Sequence, residues 1–262
     1  MVCLAVAALL PAGCGGGGGG PAASPASPTP PASSPCDALG SPGAPLGIIS
    51  GTTCSAASSP VVRLNLRNRI SVFIGSCSGT VIAPRAVLTA AHCLDGETAI
   101  VSVWPGSGDE VDALSFHISP DYRQGASSPD VGVILATQDL RRVPVPLLLS
   151  RDARVGEQAV LAGWGQDENL VGTFLRAGTA SITAVEAIFL QTRQTSGASG
   201  VCSGDSGGPL FLSEGGMWVV AGVTSATSLG GNCLGATSFY TNLRNPGVRA
   251  FVLGLVPDAG QR

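Results

Sequence analysis

Short apolar stretches recur along the chain from about residue 48 to residue 256, and Gly, Pro, Ser or Asn residues separate them. β-Branched side chains are frequent in these stretches, which is typical of strands. Strands are predicted at residues 61–66, 70–74, 86–90, 99–103, 131–135, 159–162, 177–182, 209–212, 218–223 and 238–241. Many short strands with turn residues between them indicate an all-β sandwich or barrel.

Helical spacing of apolar residues stands out only near the C-terminus. After Pro246, the residues Val248, Phe251, Val252 and Leu255 fall on one face of a helix. We therefore expect one short helix there. No apolar run reaches the roughly 18 residues that a membrane-spanning helix needs.

The N-terminal part of the chain has a different composition. Residues 1–13 are apolar and short, which is typical of a secretory signal peptide. The segment LLPAGCGGGGGG, with Cys14 at its centre, resembles a bacterial lipoprotein signal, in which the cysteine carries the lipid. The alternative is an ordinary secretory signal with an incidental cysteine. Residues 14–47 are rich in Gly, Pro, Ala, Ser and Thr and predict a flexible tether.

Charge excludes one class of partner. Charged residues make up 12% of the 262 residues, about half the usual share, and the net charge is -3. A nucleic-acid-binding protein needs a basic face, so nucleic acid is not an expected partner. Eight cysteines indicate an oxidising compartment. We expect an exported monomer, secreted or held in the periplasm or at the cell surface by a lipid on Cys14.

Three segments contain the residue types of nucleophilic catalysis. His92 lies in TAAHC after an apolar stretch, Asp130 precedes an apolar stretch in SPDVGVIL, and Ser206 lies in CSGDSGGPL. A serine hydroxyl needs an imidazole to accept its proton, and the imidazole needs a carboxylate to orient it. The glycines permit a sharp turn, so that the N–H groups of Gly204 and Ser206 can converge on a developing oxyanion.

These segments resemble the chymotrypsin/trypsin-like serine peptidases. TAAHC, the aspartate before a strand and GDSGGPL occur in the family's order, GWG stands at residues 163–165, and IISGTTC at residues 48–54 is similar to the mature N-terminus. The resemblance implies two antiparallel six-stranded barrels, at about residues 48–150 and 151–245. They form a peptidase domain over residues 48–256, and a tail follows at residues 257–262.

The resemblance implies a serine endopeptidase that acts on proteins or peptides through an acyl-enzyme. His92 is then the general base, Asp130 orients it, and Ser206 is the nucleophile. Thr224 stands where the family usually has a serine that hydrogen-bonds the aspartate. The alternatives are a relative that keeps the fold only for binding, and an esterase that uses the same triad.

Other titratable residues have simpler explanations. His117 matches a structural loop position of the family, and Asp121 and Asp139 lack the following strand that marks Asp130. Some relatives bind calcium near the position of the acidic residues Asp109, Glu110 and Asp112. We favour a solvated loop over a calcium site, and we expect neither a metal nor a cofactor.

Of the eight cysteines, Cys3 would leave with the signal peptide and Cys14 would carry the lipid. The resemblance implies disulfides Cys77–Cys93 and Cys202–Cys233, which leaves Cys36 and Cys54 to form a third. The alternative is that Cys36 is free or pairs between molecules.

Activation in this family begins with cleavage before the mature N-terminus, here between Gly47 and Ile48. The new amino group then pairs with the aspartate before the nucleophile, Asp205. No Arg or Lys precedes the cut, so tryptic activation is not expected. The alternative is an enzyme that works uncleaved, with Asp205 satisfied by other groups.

The expected specificity pocket is small and uncharged. Gly200 stands where tryptic members have the aspartate that binds Lys or Arg, and Val201 follows it. Thr224 belongs to the strand that forms one pocket wall, and Ala226 and Ser238 occupy wall positions where open pockets have glycine. We therefore expect cleavage after small or medium aliphatic residues, and poor cleavage after Lys or Arg.

Overall fold

The computed structural model describes residues 34–39, 43–45, 48–125, 127–172, 174–229 and 233–262. The predicted signal peptide, Cys14, most of the predicted tether and Gly47 lie outside these residues. The strands are β1 Gly43–Pro45, β2 Thr52–Cys54, β3 Val61–Arg67, β4 Phe73–Ala83, β5 Ala86–Thr89, β6 Ile100–Trp104, β7 Val111–Ile118, β8 Gly132–Ala136, β9 Gln158–Gly163, β10 Arg176–Val185, β11 Phe189–Arg193, β12 Pro209–Glu214, β13 Met217–Thr227 and β14 Thr237–Asn242. Short 3-10 helices span Pro35–Leu39 and Ala91–Cys93, and helix α1 spans Pro246–Leu255.

Strands β3 to β8 form the first barrel. They close in the order β3-β4-β5-β8-β7-β6, with β6 paired to β3, and every pairing is antiparallel. All four residues of β5 are buried, as are four of the five in β8. These strands are the apolar runs of the sequence, because a strand that packs in a barrel core needs few polar positions.

Strands β9 to β14 form the second barrel. The ring runs β9-β10-β11-β14-β13-β12 and closes where β12 pairs with β9, again with antiparallel pairing throughout. The prediction of two six-stranded antiparallel barrels is therefore confirmed. Strand β2 adds to the edge of β10, and β1 adds to β2.

The predicted C-terminal helix is also confirmed. Asn245 caps its start, since the Asn245 side chain accepts hydrogen bonds from the backbone N–H groups of Gly247 and Val248. Val248 and Val252 are buried against the core. The following residues run beside residues 147–150, where Arg262 N donates to Leu147 O and Arg262 O accepts from Leu149 N.

One strand prediction is corrected, and β1, β2, β7, β11 and most of β4 were not predicted. The apolar run at residues 70–74 belongs mostly to the turn before β4, where Ile70 is 78% exposed. Strands β7 and β11 were missed because both are largely half-exposed, so polar residues interrupt their apolar positions.

The boundary of the predicted tether is corrected as well. Residues 34–39 and 43–45 are folded against the second barrel rather than flexible. Cys36 and Leu39 are fully buried in the core, and Cys36 is bonded to Cys54 at the end of β2. Composition hid this because Gly, Pro and Ser surround the few residues that anchor the segment. No helix in the described part of the chain is long and apolar enough to cross a membrane.

Candidate active site

Three disulfides fix the segments around the candidate site. The pairs are Cys36–Cys54, Cys77–Cys93 and Cys202–Cys233, as the sequence led us to expect. Cys93 ends the 3-10 turn that presents His92, so its bond to β4 anchors that turn. Cys202 lies four residues before Ser206, the predicted nucleophile, so its bond to Cys233 anchors residues 202–208, which we call the nucleophile loop.

His92 and Asp130 form a hydrogen-bonded pair. The His92 Nδ1 atom lies 2.6 Å from Asp130 Oδ2, and the His92 backbone N–H donates to Asp130 Oδ1 at 2.9 Å. The two bonds fix both the imidazole and its main chain relative to one carboxylate. The Nε2 atom is therefore left as the proton acceptor that faces away from Asp130.

Asp130 lies where the two barrels meet. It follows β7 and precedes β8, and its backbone N–H donates to Thr241 Oγ1 of β14, whose hydroxyl donates back to the Asp130 carbonyl. Burial by itself would raise the pKa of Asp130. Hydrogen bonds and charge from His92, with a hydrogen bond from Ser225, outweigh burial and hold the pKa below its ordinary value. The carboxylate thus stays ionised at neutral pH.

The hydroxyl that reaches Asp130 belongs to Ser225, which corrects the assignment to Thr224. Ser225 Oγ donates to Asp130 Oδ2 at 2.7 Å, whereas Thr224 Oγ1 is buried without a described partner. The cause is a β-bulge: Thr224 pairs with Tyr240 and Ala226 with Phe239, which leaves Ser225 as the extra residue. Aligning the family's serine on Ser225 itself would have found this contact.

The nucleophile loop presents Ser206 beside the His92 turn. Ser206 is half-buried, and its carbonyl oxygen accepts from Ser78 N at 2.8 Å and lies 3.8 Å from Cys93 Sγ. No hydrogen bond joins Ser206 Oγ to His92 Nε2 in the described structure. Such bonds are often long before substrate binds.

Gly204 and Ser206 can supply the expected oxyanion-binding N–H groups. Gly204 has a φ of 94°, a conformation that only glycine adopts freely, and a Cβ there would lie 2.9 Å from Gly165 Cα. Neither backbone N–H donates to an acceptor within the described ranges. Both donors are therefore available to a substrate oxygen.

Asp205 is completely buried behind this loop. Its two carboxylate oxygens accept from Gly165 N and Cys202 N, each at 2.8 Å. Burial raises the pKa of Asp205 to about 6, although both hydrogen bonds and the charge of Arg176 oppose the rise. The intact chain thus satisfies Asp205 with backbone donors.

Ionisation of Asp205 should reduce stability as the pH rises. A folded pKa of about 6 against an ordinary 3.8 means that the folded state holds the proton more tightly. The stabilisation is complete below pH 3.8 and is lost as the pH passes 6. The shift corresponds to about 3 kcal/mol.

Urea unfolding of the Ser206→Ala protein at pH 4.5 and 7.5, with and without Asp205→Asn, measures this pH-dependent contribution of Asp205 to the free energy of unfolding. We expect the stability difference between the two proteins to change by about 2–3 kcal/mol. If the difference in free energy of unfolding between the two proteins were the same at both pH values, the raised pKa of Asp205 would be refuted.

The expected pair of Ile48 and Asp205 is not formed in the intact chain. The backbone nitrogen of Ile48 is here an uncharged amide, and other donors occupy both Asp205 oxygens. The Ile48 and Ile49 side chains are nevertheless buried, and Ile49 bridges to Gly200. Ser50, where the family usually has glycine, has a left-handed φ of 59°.

A cavity of about 550 Å³ opens beside His92. Among the described residues that line it are Asp130, Tyr122, Phe189, Ala226 and Phe239, and the two phenylalanine rings meet edge to face with centroids 6.0 Å apart. Ala226 therefore faces this cavity, which corrects its assignment to the wall of the specificity pocket. Ala226 and the two phenylalanines give the cavity an apolar part near the candidate base.

Thr227, rather than Ala226, lies opposite Ser238. The register of β13 and β14 pairs Thr227 with Ser238, and directly paired residues project to the same side of a sheet. At Gly200, a Cβ would lie 2.7 Å from Gln194 Cβ, so no side chain fits there. Val201 is buried in the core of the second barrel. These positions hold no carboxylate.

His117 and the acidic residues Asp109, Glu110 and Asp112 do not join the site. His117 lies 3.1 Å from Ser115 within β7, and the Glu110 carboxylate faces Asn65, Ser102 and Arg67 rather than Asp109 and Asp112. Of the residues described, the one group with metal-ligand proximity is Cys77, His92 and Cys93. Both of its cysteines are disulfide-bonded and offer no thiolate.

Comparison with known proteins identifies the family. The family model described as Trypsin matches residues 48–245, which is most of the chain. The chain therefore belongs to the trypsin family, a family of serine endopeptidases, and the predicted family is confirmed.

Individual relatives are distant. The chain is 25% identical to vitamin K-dependent protein C from Mus musculus over 213 residues, covering 68% of this chain and 45% of that protein. It is 32% identical to brachyurin from Leptuca pugilator over 165 residues, covering 51% and 70%. It is 28% identical to trypsin from Saccharopolyspora erythraea over 172 residues, covering 57% and 74%. The chain spans less than half the length of protein C.

Proposed function

We propose that the protein is a serine endopeptidase that hydrolyses peptide bonds in proteins or peptides through an acyl-enzyme. The observation that carries the proposal is the His92–Asp130 pair, hydrogen-bonded at 2.6 Å beside the loop of Ser206. Family membership supports it. The relatives named above include a trypsin.

In the proposed mechanism, Ser206 Oγ attacks the carbonyl carbon of the scissile bond while His92 Nε2 accepts the hydroxyl proton. The oxyanion accepts hydrogen bonds from Gly204 N and Ser206 N. The intermediate collapses when His92 gives the proton to the leaving amine, which breaks the C–N bond. Water then attacks the acyl-enzyme ester while His92 accepts its proton. His92 returns the proton to Ser206 Oγ, which releases the carboxylic acid product and restores Ser206. Asp130 stabilises the imidazolium throughout.

The proposed substrates carry a small or medium aliphatic residue before the scissile bond. The enzyme has no room for a carboxylate side chain at position 200, because a Cβ there would meet Gln194. Thr227 and Ser238 narrow the proposed specificity pocket from two paired strands. A buried Lys or Arg without a partner is strongly disfavoured. We therefore expect the highest kcat/KM after Ala, Val or Leu.

A panel of peptides that differ only in the residue before the scissile bond tests this specificity. Thr227→Gly combined with Ser238→Gly should shift the preference toward larger side chains, because both changes widen the pocket. The same double change should not create cleavage after Arg. A wild-type preference for Arg or Phe would refute the proposed pocket.

We also propose that cleavage between Gly47 and Ile48 leaves the N-terminal segment attached. The Cys36–Cys54 bond and the burial of Leu39 support this, since both hold residues 34–39 to the barrel independently of the peptide bond at the cut. After processing, gels should show two fragments only with reductant. Cys36→Ser with Cys54→Ser is the control that should separate without it. Release of the segment from the unreduced wild type would contradict the proposal.

We propose residues 48–256 as the peptidase domain of an exported, monomeric protein. The three disulfides support export to an oxidising compartment. A lipid on Cys14 stays a proposal from the sequence.

A further inference from the structure

Ser78 lies where the two barrels meet the nucleophile loop. It follows Cys77 in β4 and is fully buried. Its hydroxyl donates to Gly204 O and accepts from Trp164 N, each at 2.9 Å. These partners are 126 and 86 positions away in the chain. One hydroxyl therefore ties the first barrel to two separate loops of the second.

The main chain of Ser78 binds the same loop. Ser78 N donates to Ser206 O at 2.8 Å, and Ser78 O accepts from Thr89 Oγ1 at 2.8 Å. The fit is close, because a Cβ added at Gly208 would lie 3.2 Å from Ser78 Cβ. Ser78 thus contacts both residues whose N–H groups are proposed to bind the oxyanion.

The bond to Gly204 has no described substitute. Within the described ranges, the bond from Ser78 Oγ is the one hydrogen bond that Gly204 makes. Glycine rotates more freely than any other residue. The peptide groups on either side of Gly204 are also bonded, through Gln166 N to Ser203 O and Asp205 N to Cys202 O, so loss of the Ser78 bond loosens the Gly204 N–H without freeing it.

The Trp164 contact acts on the same loop from behind. Trp164 precedes Gly165, and Gly165 N donates to Asp205 Oδ1. Fixing Trp164 N therefore also fixes the donor that holds Asp205, the residue between Gly204 and Ser206.

We infer that Ser78 is a positioning residue that holds the Gly204 N–H in the orientation that binds the oxyanion. The inference rests on the proposed endopeptidase function. Ser78 does not touch substrate; it acts through Gly204 and Trp164. A hydroxyl that only satisfied Trp164 N would add stability without a selective effect on the chemical step.

Ser78→Ala tests the inference, with Ser59→Ala as the matched control. Ser59 is also fully buried, two residues before β3 of the first barrel. Its hydroxyl accepts from Val61 N at 3.0 Å and makes no described bond to the nucleophile loop. Active-site titration counts the folded enzyme in each preparation. Because loss of one oxyanion donor lowers kcat by about 10²–10³-fold, a loosened donor should lower it by about 10–100-fold.

For Ser78→Ala we expect this fall in kcat with KM changed less than about twofold, since the effect is confined to the transition state. The affinity for a peptide boronic acid, whose tetrahedral adduct places an oxygen at the oxyanion position, should fall by a similar factor. The pH profile should not move, because His92 and Asp130 are untouched. Ser59→Ala should leave kcat and boronate affinity unchanged. If Ser78→Ala fails to fold, Ser78→Gly removes the same hydroxyl.

Equal kcat and boronate affinity in titrated wild-type and Ser78→Ala enzyme would overturn the inference. An equal loss in Ser59→Ala would overturn it too, because the effect would then be general. An active wild type with a silent Ser78→Ala leaves the proposed function intact. A folded wild type without peptidase activity overturns both proposals.

Discussion

Replacing Ser206 by alanine is expected to lower kcat for peptide hydrolysis by about 10⁴-fold or more, with little change in KM. The variant keeps the loop, because the contacts from Ser78 N and to Thr224 O involve main-chain atoms. It loses the oxygen that attacks the substrate. Steady-state kinetics with a peptide that has Ala or Val before the scissile bond measures the effect.

Ser213→Ala is the control for this change. Ser213 is an exposed serine on β12, the strand that follows the nucleophile loop. We expect it to keep wild-type kcat. Thermal unfolding should show that both variants are folded. More than about one-hundredth of the wild-type kcat in purified Ser206→Ala would mean that Ser206 is not the nucleophile.

Asp130→Asn should lower kcat by about 10⁴-fold while the fold is retained. Asparagine can still accept the hydrogen bond from His92 N at the Oδ1 position. Its amide would face His92 Nδ1 as a donor, which favours the tautomer with the proton on Nε2. That tautomer cannot accept the Ser206 proton, and the imidazolium also loses its countercharge. Kinetics at neutral pH measures the loss.

Asp121→Asn and Asp139→Asn are the matched controls for Asp130→Asn. Neither aspartate contacts His92, and Asp139 accepts a local bond from Arg141 N. Both variants should stay within about twofold of the wild-type kcat. A small loss in Asp130→Asn, or a large loss in either control, would move the orienting role to another carboxylate.

The sequence predicted the double barrel because its motifs are specific in type and order. TAAHC, the aspartate before a strand and GDSGGPL each sit at the end of an apolar run, and the folded strands bring those ends together. The three disulfide pairs were also anticipated. Periodicity alone would have predicted β-structure without the closure of either barrel, since closure depends on pairing between distant strands.

Counting residues failed at the β-bulge of β13. A regular strand would have kept Thr224 and Ala226 at the predicted positions, but the bulge moves Ser225 onto Asp130 and Thr227 opposite Ser238. A bulge is set by pairing with β14, which a single strand does not encode locally. The same bulge explains why the predicted specificity pocket is corrected at Thr224 and Ala226.

Composition failed at residues 34–39 and 43–45. The segment looks like the rest of the tether, and its order comes from a disulfide and from the burial of Leu39 in a core formed by distant strands. Likewise, nothing local marks Ser78 as special. Its role emerges only when the fold brings Gly204 and Trp164 to its hydroxyl.

Covalent labelling with a fluorophosphonate probe tests the central claim most directly. The purified protein is incubated with the probe, and the modified residue is located by mass spectrometry of its peptides. An activated serine hydroxyl forms an ester with the probe phosphorus and displaces fluoride. We predict one adduct per chain, on Ser206, and none in Ser206→Ala. A folded protein that forms no adduct, or forms it on another serine, would contradict the account.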